Sequence, residues 1–442
     1  MSNSIAKRFT FLSLIRFALP SIIMMVFMSL YTIVDGIFVS RFVGTAALSA
    51  VNVTYPFASA VVSVAVMFAT GGSAVVARQM GEGQAQAARS NFTAIVIAAA
   101  AAGALLGGVG LLFTDPLVRA LGADDSLAGL CREYLWILSA FAPASVLQIL
   151  FQNFFVTAGR PGLGLLSTVV AGAANAVLDY VFIVPLQMGI GGAALATGIG
   201  YTIPAAVGVI WFLCRRGTLY FSRPVFRLRV LLESCANGSS EMVTNLSASV
   251  TTFLFNIVMM RLLGVDGVAA ITIVLYAQFL MTSLYMGYSI GVAPVISYNY
   301  GSADTAHLKK LFWICIRFIG ACSLAVVASS LLLAPWLSAV FAPKGSAVYA
   351  LAVHGFVLFS FNYLFAGTNI FASALFTALS NGKVSAAISF LRTFLFIVGG
   401  ILLLPYLWGV DGVWLAVPVA EALSMAVSVW FLVCKRSVYH YA

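Results

Sequence analysis

The sequence predicts an all-α integral membrane protein whose twelve transmembrane helices form two pseudo-symmetric six-helix bundles. Three observations predict this class: a strongly apolar composition, twelve apolar segments of spanning length, and an internal repeat. Of the 442 residues, 62% are hydrophobic and 8% are charged, whereas a soluble domain carries about 25% charged residues. So few charges could not cover a water-soluble fold, and lipid must therefore surround most of the chain.

The apolar segments alternate with short, glycine-rich turns, as expected for helices that cross a bilayer and return. A spanning helix needs about 20 residues, and the longer segments indicate tilt or protrusion. Pro20 in the first span and Pro143 in the fourth predict kinks. The predicted spans are 11–39, 46–77, 91–113, 127–155, 163–185, 191–213, 236–262, 267–296, 311–333, 348–378, 384–405 and 411–433.

The longest connection, over 214–235, divides the chain into an N-terminal six-helix lobe over 1–213 and a C-terminal lobe over 236–442. We predict that this connection is cytoplasmic, and it carries Arg215, Arg216, Arg223, Arg227 and Arg229. The first apolar segment is too long for a signal-peptide core and lacks a clear cleavage site, so we expect it to be retained as a span.

Lysine and arginine are divided unevenly between the two sides of this topology. Eighteen of the 23 fall on the side of both termini, which predicts a multi-pass protein of the cell (inner) membrane with both termini in the cytoplasm. Arg392 is counted on that side. The formal net charge of +10 is spread over short loops, and nucleic-acid binding would need basic residues clustered on one solvated face. We therefore expect no nucleic-acid partner.

A shift of 220 residues superimposes the two halves. Gly44 falls on Gly264, Gly189 falls on Gly409, and the triplet at 214–216 falls on that at 434–436. Each half has an even number of spans, so both enter the membrane from the same side as parallel repeats. This arrangement is typical of transporters that rock two lobes around a central site.

Acidic residues within the predicted spans are the main functional signal, because a carboxylate at mid-bilayer costs about 2.5–3.5 kcal/mol. Asp35, Asp179 and Thr197 are each predicted roughly 9–10 Å below the outer surface. Asn175 lies one turn from Asp179 on the same face. Two carboxylates, an amide and a hydroxyl at one depth could coordinate Na⁺ or hold a transferable proton. Their counterparts at the 220-residue shift are not ionisable, so we expect this group in the first lobe alone.

The same residues have structural explanations, because carboxylates also cap helices or pair with a nearby arginine. Glu241 is predicted near the cytoplasmic start of span seven, where helix capping explains it as well as function does. Glu421 is predicted near the middle of span twelve, and the sequence identifies no partner for it. A coupling or substrate-binding role and a hydrogen bond inside the bundle are both open for Glu421.

Several segments together resemble the multidrug and toxic compound extrusion (MATE) family. They are Tyr31 to Val39 (YTIVDGIFV), Val43-Gly44, Ala46 to Leu48, and Ala77 to Gly81 (ARQMG). The resemblance covers nearly the whole chain and implies two six-helix lobes. Asp35, Asn175, Asp179 and Thr197 are similar to the first-lobe polar cluster of the prokaryotic DinF-like subgroup, and Tyr31 also matches a residue of that region.

The resemblance implies a secondary active multidrug efflux transporter that exchanges small amphipathic, mostly cationic, compounds for Na⁺ or H⁺. It implies a cation site at Asp35, Asp179, Asn175 and Thr197, and no cofactor beyond the coupling ion. Glu241 falls where an acidic residue also occurs in the family. The acidic residue that the other prokaryotic subgroup uses in span ten is absent here, where the chain has Asn362 and Asn369. We expect a monomer in the lipid bilayer.

Two other functions fit the sequence less well. A lipid-linked oligosaccharide flippase of the same superfamily would line its cavity with basic residues for a pyrophosphate, and the predicted spans hold almost no lysine or arginine. An enzyme needs a catalytic constellation, whereas the three histidines are scattered and the six cysteines form no C-x-x-C pair. We therefore expect neither enzymatic activity nor a disulfide framework.

Overall fold

The computed structural model describes residues 4–215 and 217–442, with the side chains at 37, 40 and 45 left aside. Arg216 of the predicted central loop lies outside the described residues. The regular structure within the described residues is helical, which confirms the all-α class. The helices before the central connection are α1 (Phe11–Phe42), α2 (Thr45–Gly81), α3 (Ala85–Leu112), α4 (Thr114–Ala120), α5 (Ala128–Ala140), α6 (Ala142–Thr157), α7 (Pro161–Ile183) and α8 (Gly189–Leu213).

The helices after the central connection form the second half of the molecule. They are α9 (Leu228–Gly301), α10 (Thr305–Phe341), α11 (Ala347–Phe359), α12 (Tyr363–Ala378), α13 (Gly382–Phe390) and α14 (Val398–Tyr439). A short 3₁₀ turn joins α11 to α12, and a π-helical segment (Leu391–Ile397) joins α13 to α14 without a break.

The described helices make twelve membrane spans. Nine helical stretches within the described residues are long and apolar enough to cross a bilayer. Two of them each hold two spans, because the backbone leaves the helical region at Gly264 in α9 and at Gly409 in α14. α5 and α6 together make one span that bends by 53°. The prediction of twelve spans is therefore confirmed.

The predicted kinks have different outcomes. The 53° bend between α5 and α6 has Pro143 at the start of α6, where proline lacks the N–H that would continue the helical ladder. By contrast, α1 continues through Pro20 as one helix, and a kink there stays a prediction.

Four glycines that the 220-residue shift pairs share an unusual backbone conformation. Gly44 and Gly264 have φ of 119° and 65°, and Gly189 and Gly409 both have φ of 57°. Glycine adopts positive φ at little steric cost because it has no Cβ. The sharp turn between the first two spans therefore recurs between the two spans of α9. The turn at Gly189, at the start of α8, likewise recurs at Gly409 within α14.

Both chain termini lie at one end of the helix bundle, which we call the terminal end. Ser4 near the N-terminus donates a hydrogen bond to the carbonyl of Gly159, at 2.8 Å. Asn381 donates to the hydroxyl of Tyr439 near the C-terminus, also at 2.8 Å. An even number of spans requires this shared side, in agreement with the predicted topology.

The two halves are held together from the terminal end to the middle of the bundle, where α2 packs along α9. A Cβ on Gly71 would overlap the backbone of Ser234, and one on Gly238 would overlap that of Met67. Arg78 at the end of α2 forms an ion pair with Glu233 of α9, at 2.8 Å. Polar contacts between the halves therefore add to a close backbone approach.

One predicted boundary is wrong in a way that matters for function. α9 begins at Leu228, ahead of the predicted span at 236, because the apolar pattern continues into the predicted loop. Glu241 therefore lies more than three turns inside the helix. The alternative that Glu241 caps a helix start is wrong.

Candidate cation-binding site

Asp35 and Asp179 meet inside the first half. α1 packs against α7, and this packing brings the two carboxyl groups within hydrogen-bonding reach of each other. Asp179 is only 2% exposed. Two ionised carboxylates at this separation repel strongly, so a shared proton or a bound cation is needed to relieve the repulsion.

The polar atoms around this pair lack partners in the described part of the chain. Asn175 is 1% exposed and lies against α8, where a Cβ on Gly200 would be 3.4 Å from its own Cβ. Neither polar side-chain atom of Asn175 is hydrogen-bonded, and the Oδ1 atoms of Asp35 and Asp179 are likewise unpaired. An unpaired buried polar atom costs about 1–3 kcal/mol. A cation among these oxygens would remove that cost.

A hollow lies between α1, α6, α7 and α8. Tyr31 and Thr197 are both on its wall, together with Gln148 and Gln152. The structure therefore places all five first-half residues singled out in the sequence in one region. Their role as a cation site stays a prediction.

Two tyrosines of this region were not identified from the sequence. Tyr134 of α5 and Tyr201 of α8 both interact electrostatically with Asp35, and Tyr134 does so with Asp179 too. Tyr201 lies four residues after Thr197, and that spacing could have identified it as a residue on the same helix face. Tyr134 comes from a different span from the other residues of the region, and no spacing to one of them pointed to it.

The acidic residues of the second half lie in a separate cluster. Glu421 is 1% exposed and accepts hydrogen bonds from Arg392, at 2.6 and 2.8 Å, and from Asn369, at 2.7 Å. Glu241 interacts electrostatically with the same Arg392. Of the two possibilities for Glu421, the structure shows the interaction inside the bundle.

The position of Arg392 corrects the sequence analysis. It was counted among the residues at the cytoplasmic side, but it lies within a span, in the π-helical segment that follows α13. Residue 392 also falls inside the predicted span over 384–405, so its place on the cytoplasmic side of the charge count is wrong.

The first-half oxygens have the composition of a site for a hard monovalent cation or a proton. Carboxylate, amide and hydroxyl oxygens are the ligands that hard cations prefer. The residues that the structure describes contain no group of three or more histidine, cysteine or acidic side chains placed to hold a metal. The first-half set contains two carboxylates, an amide and a hydroxyl, and these oxygens are suited to Na⁺ or to a shared proton.

Twelve spans in two repeated halves, with a buried pair of carboxyl groups inside one half, define a polytopic membrane protein of the transporter class. The MatE family model matches the chain twice, over residues 20–181 and 242–402. The chain therefore belongs to the MatE family, and the double match confirms the internal repeat.

Known relatives agree over nearly the full length. The multidrug export protein MepA of Staphylococcus saprophyticus is 22% identical over 447 residues, covering 98% of this chain and 94% of that protein. A solved structure described as MATE in complex with MaL6 has a TM-score of 0.91 at 23% identity and covers 97% of both chains. The Vibrio cholerae MATE transporter VcmN, solved as its D35N mutant, has a TM-score of 0.90 at 19% identity and covers 100% of both chains. These structures show a shared fold.

Proposed function

We propose that this protein is a secondary active efflux transporter that exports amphipathic, mostly cationic, compounds in exchange for Na⁺ or H⁺. The observation that carries the proposal is the facing pair of Asp35 and Asp179, whose Oδ1 atoms are buried and unpaired. The MepA relative is named as a multidrug export protein, which supports small organic compounds as substrates.

The coupling ion acts on the first half in this proposal. Na⁺ or H⁺ binds among Asp35, Asp179, Asn175 and Thr197 when the cavity is open away from the terminal end. The ion relieves the repulsion between the carboxylates and favours a conformation that holds substrate less tightly. An ion that binds one conformation 100-fold more tightly supplies about 2.7 kcal/mol of coupling.

The proposal includes the predicted organisation of the chain. The lobes over 1–213 and 236–442 rock against each other around a central site, and the connection over 214–235 and both termini face the cytoplasm. The protein works as a monomer in the cell membrane. The first-lobe cluster assigns it to the DinF-like subgroup.

A lipid-linked oligosaccharide flippase remains the second candidate, and Arg392 counts against it. A flippase cavity needs free basic groups for a pyrophosphate. The guanidinium of Arg392 already donates two hydrogen bonds to Glu421 and is therefore not free for an anionic substrate.

The first test is efflux of a cationic dye, such as ethidium, from cells that express the wild type or Asp35→Asn. We expect Asp35→Asn to lose efflux at least tenfold at equal membrane expression, because a neutral amide neither exchanges a proton nor supplies a charge for Na⁺. Asp115→Asn is the matched control, because Asp115 is an exposed acid paired with Arg132. Equal efflux by the wild type and Asp35→Asn would contradict the proposal.

The coupling ion is identified by dye transport into vesicles with an imposed Na⁺ or pH gradient. Uptake driven by one gradient, and abolished by Asp35→Asn, assigns that ion. Transport that responds to neither gradient would contradict antiport.

A further inference from the structure

A buried ion pair links three helical segments of the second half. Arg392 in the π-helical segment donates from Nε and Nη2 to Oε1 of Glu421 on α14, at 2.8 and 2.6 Å. The other oxygen of Glu421 accepts from Asn369 on α12 at 2.7 Å, and Ser428 donates to the amide oxygen of Asn369 at 2.9 Å. The side chains of Arg392 and Glu421 are 12% and 1% exposed.

This pair lies deep in the membrane. Arg392 is ten residues beyond the start of α13 at Gly382, which is roughly 15 Å along a helix. A guanidinium at that depth is costly unless it is paired. The helix is π-helical over Leu391–Ile397, and such segments occur often at functional sites because they change the direction of a side chain. Depth and local geometry together distinguish Arg392 from a surface arginine.

The pair occupies the position that corresponds to the hollow of the first half. The 220-residue shift places Gly172 on Arg392 and Tyr201 on Glu421. Gly172 and Tyr201 both line the first-half hollow. The second half therefore extends a guanidinium from the backbone position at which the first half has no side chain.

The two halves also differ in the charges of the side chains that lie at these positions. In the first half, Asp35 and Asp179 face each other, and their Oδ1 atoms have no hydrogen-bond partner among the described residues. In the second half, Arg392 interacts with two acids, since Glu241 on α9 is also within its electrostatic reach. The first half thus has two facing acids without a paired cation, and the second half has the acid Glu421 paired with a cation of the chain itself.

We propose that Arg392 is a tethered cation that occupies, in the second half, the position of the hollow next to the first-half cation site. Removing its side chain exposes a monovalent-cation site at the Glu421 carboxylate, beside Asn369, and a free guanidinium ion fits that site. A consequence, which rests on the proposed function, is that only the first half exchanges an ion during transport.

A purely structural ion pair would behave differently from a filled cation site. Both explanations predict that loss of Arg392 destabilises the protein, because a buried carboxylate loses its partner. Only a cation site predicts that a small cation of matching shape restores the stability. The discriminating measurement is therefore chemical rescue, which does not require transport.

The test measures the thermal midpoint of the purified full-length protein in choline chloride and in methylguanidinium chloride at equal concentrations. All variants carry Asp35→Asn, so that the first-half carboxylate pair does not respond to the salt. We expect Arg392→Ala to unfold several degrees lower than its parent in choline. The midpoint should then rise with methylguanidinium and saturate, as for any ligand that binds the native state.

Two control variants isolate the site. Arg392→Ala combined with Glu421→Gln lacks the carboxylate that holds the guanidinium and should not respond to methylguanidinium. Arg132→Ala removes an arginine from an exposed pair and should not respond either. An equal response of the single and double variants, or no response of the single variant, overturns the proposal.

If Arg392→Ala folds only with the added cation, the measurement is the folded yield after extraction in each salt. Folded protein obtained in methylguanidinium but not in choline supports the proposal. Absence of folded protein in both salts overturns it.

Discussion

Tyr201 shows how one hydroxyl group can contribute to the first-half site. It lies on α8 one turn beyond Thr197 and lines the same hollow as Tyr31. Its hydroxyl interacts electrostatically with Asp35, so it is placed to donate a hydrogen bond to the carboxylate or to contact a bound ion.

We predict that Tyr201→Phe weakens cation-dependent stabilisation by about tenfold in apparent affinity, because a hydrogen bond to a charged group contributes about 1.5–3 kcal/mol. The ring remains, so substrate packing should change little. The measurement is the thermal midpoint as a function of Na⁺ concentration and of pH. Tyr406→Phe is the matched control because Tyr406 is 90% exposed. An unchanged affinity would exclude the hydroxyl from the site.

At the scale of elements, small residues set how closely α2 approaches α9. A Cβ at Gly71 would overlap the backbone of Ser234, and one at Gly81 would overlap that of Tyr298. Backbone atoms cannot move aside as a flexible side chain can, so these contacts require glycine. They lie toward the terminal end, where the two halves are joined.

Gly71→Ala should destabilise the protein by about 1–3 kcal/mol, because a methyl group is forced into a packed interface. The variant should also loosen the contact between α2 and α9, and disulfide cross-linking of cysteines introduced across this contact measures that change. Gly108→Ala in α3 is the control, since a Cβ there meets nothing within 4 Å. That substitution should be neutral or stabilising by about 0.5–1 kcal/mol, owing to the better helix propensity of alanine. Equal losses in the two variants would mean that the interface is not the cause.

At the scale of the whole molecule, ion pairs at the terminal end hold the halves together. Arg78 and Glu233 belong to different halves and lie 2.8 Å apart, with side chains 20% and 33% exposed. Arg8 and Asp304 form a second, longer contact at 3.7 Å. A rocking motion that opens the terminal end must separate these pairs.

Glu233→Gln should shift the conformational equilibrium toward opening at the terminal end by about fivefold, since a partly exposed ion pair contributes up to about 1 kcal/mol. Accessibility of an introduced cysteine near Gly81 to a membrane-impermeant reagent, added from the terminal side, measures the shift. High salt should produce part of the same effect in the wild type. Asp115→Asn breaks a pair within one half and should leave the accessibility unchanged. A Glu233→Gln variant with wild-type accessibility would show that the pair does not restrain opening.

Much of the architecture was determined by the sequence alone. The composition, the lengths of the apolar segments and the 220-residue repeat together predicted twelve spans in two halves, because lipid allows only helices of fixed length to bury every backbone polar group. The same patterns singled out Asp35, Asn175, Asp179 and Thr197, since ionisable and polar groups stand out against an apolar background.

Only the tertiary structure decided which polar groups meet. The packing of helices places Tyr201 near Asp35 and pairs Arg392 with Glu421. The structure also shows that Glu241 lies in a helix interior rather than at the predicted helix start. Helical periodicity fixes depth and face along one span, but the partner of a side chain depends on how neighbouring helices pack and rotate. That packing depends on contacts such as those of Gly71 and Gly238, which join residues far apart in the chain.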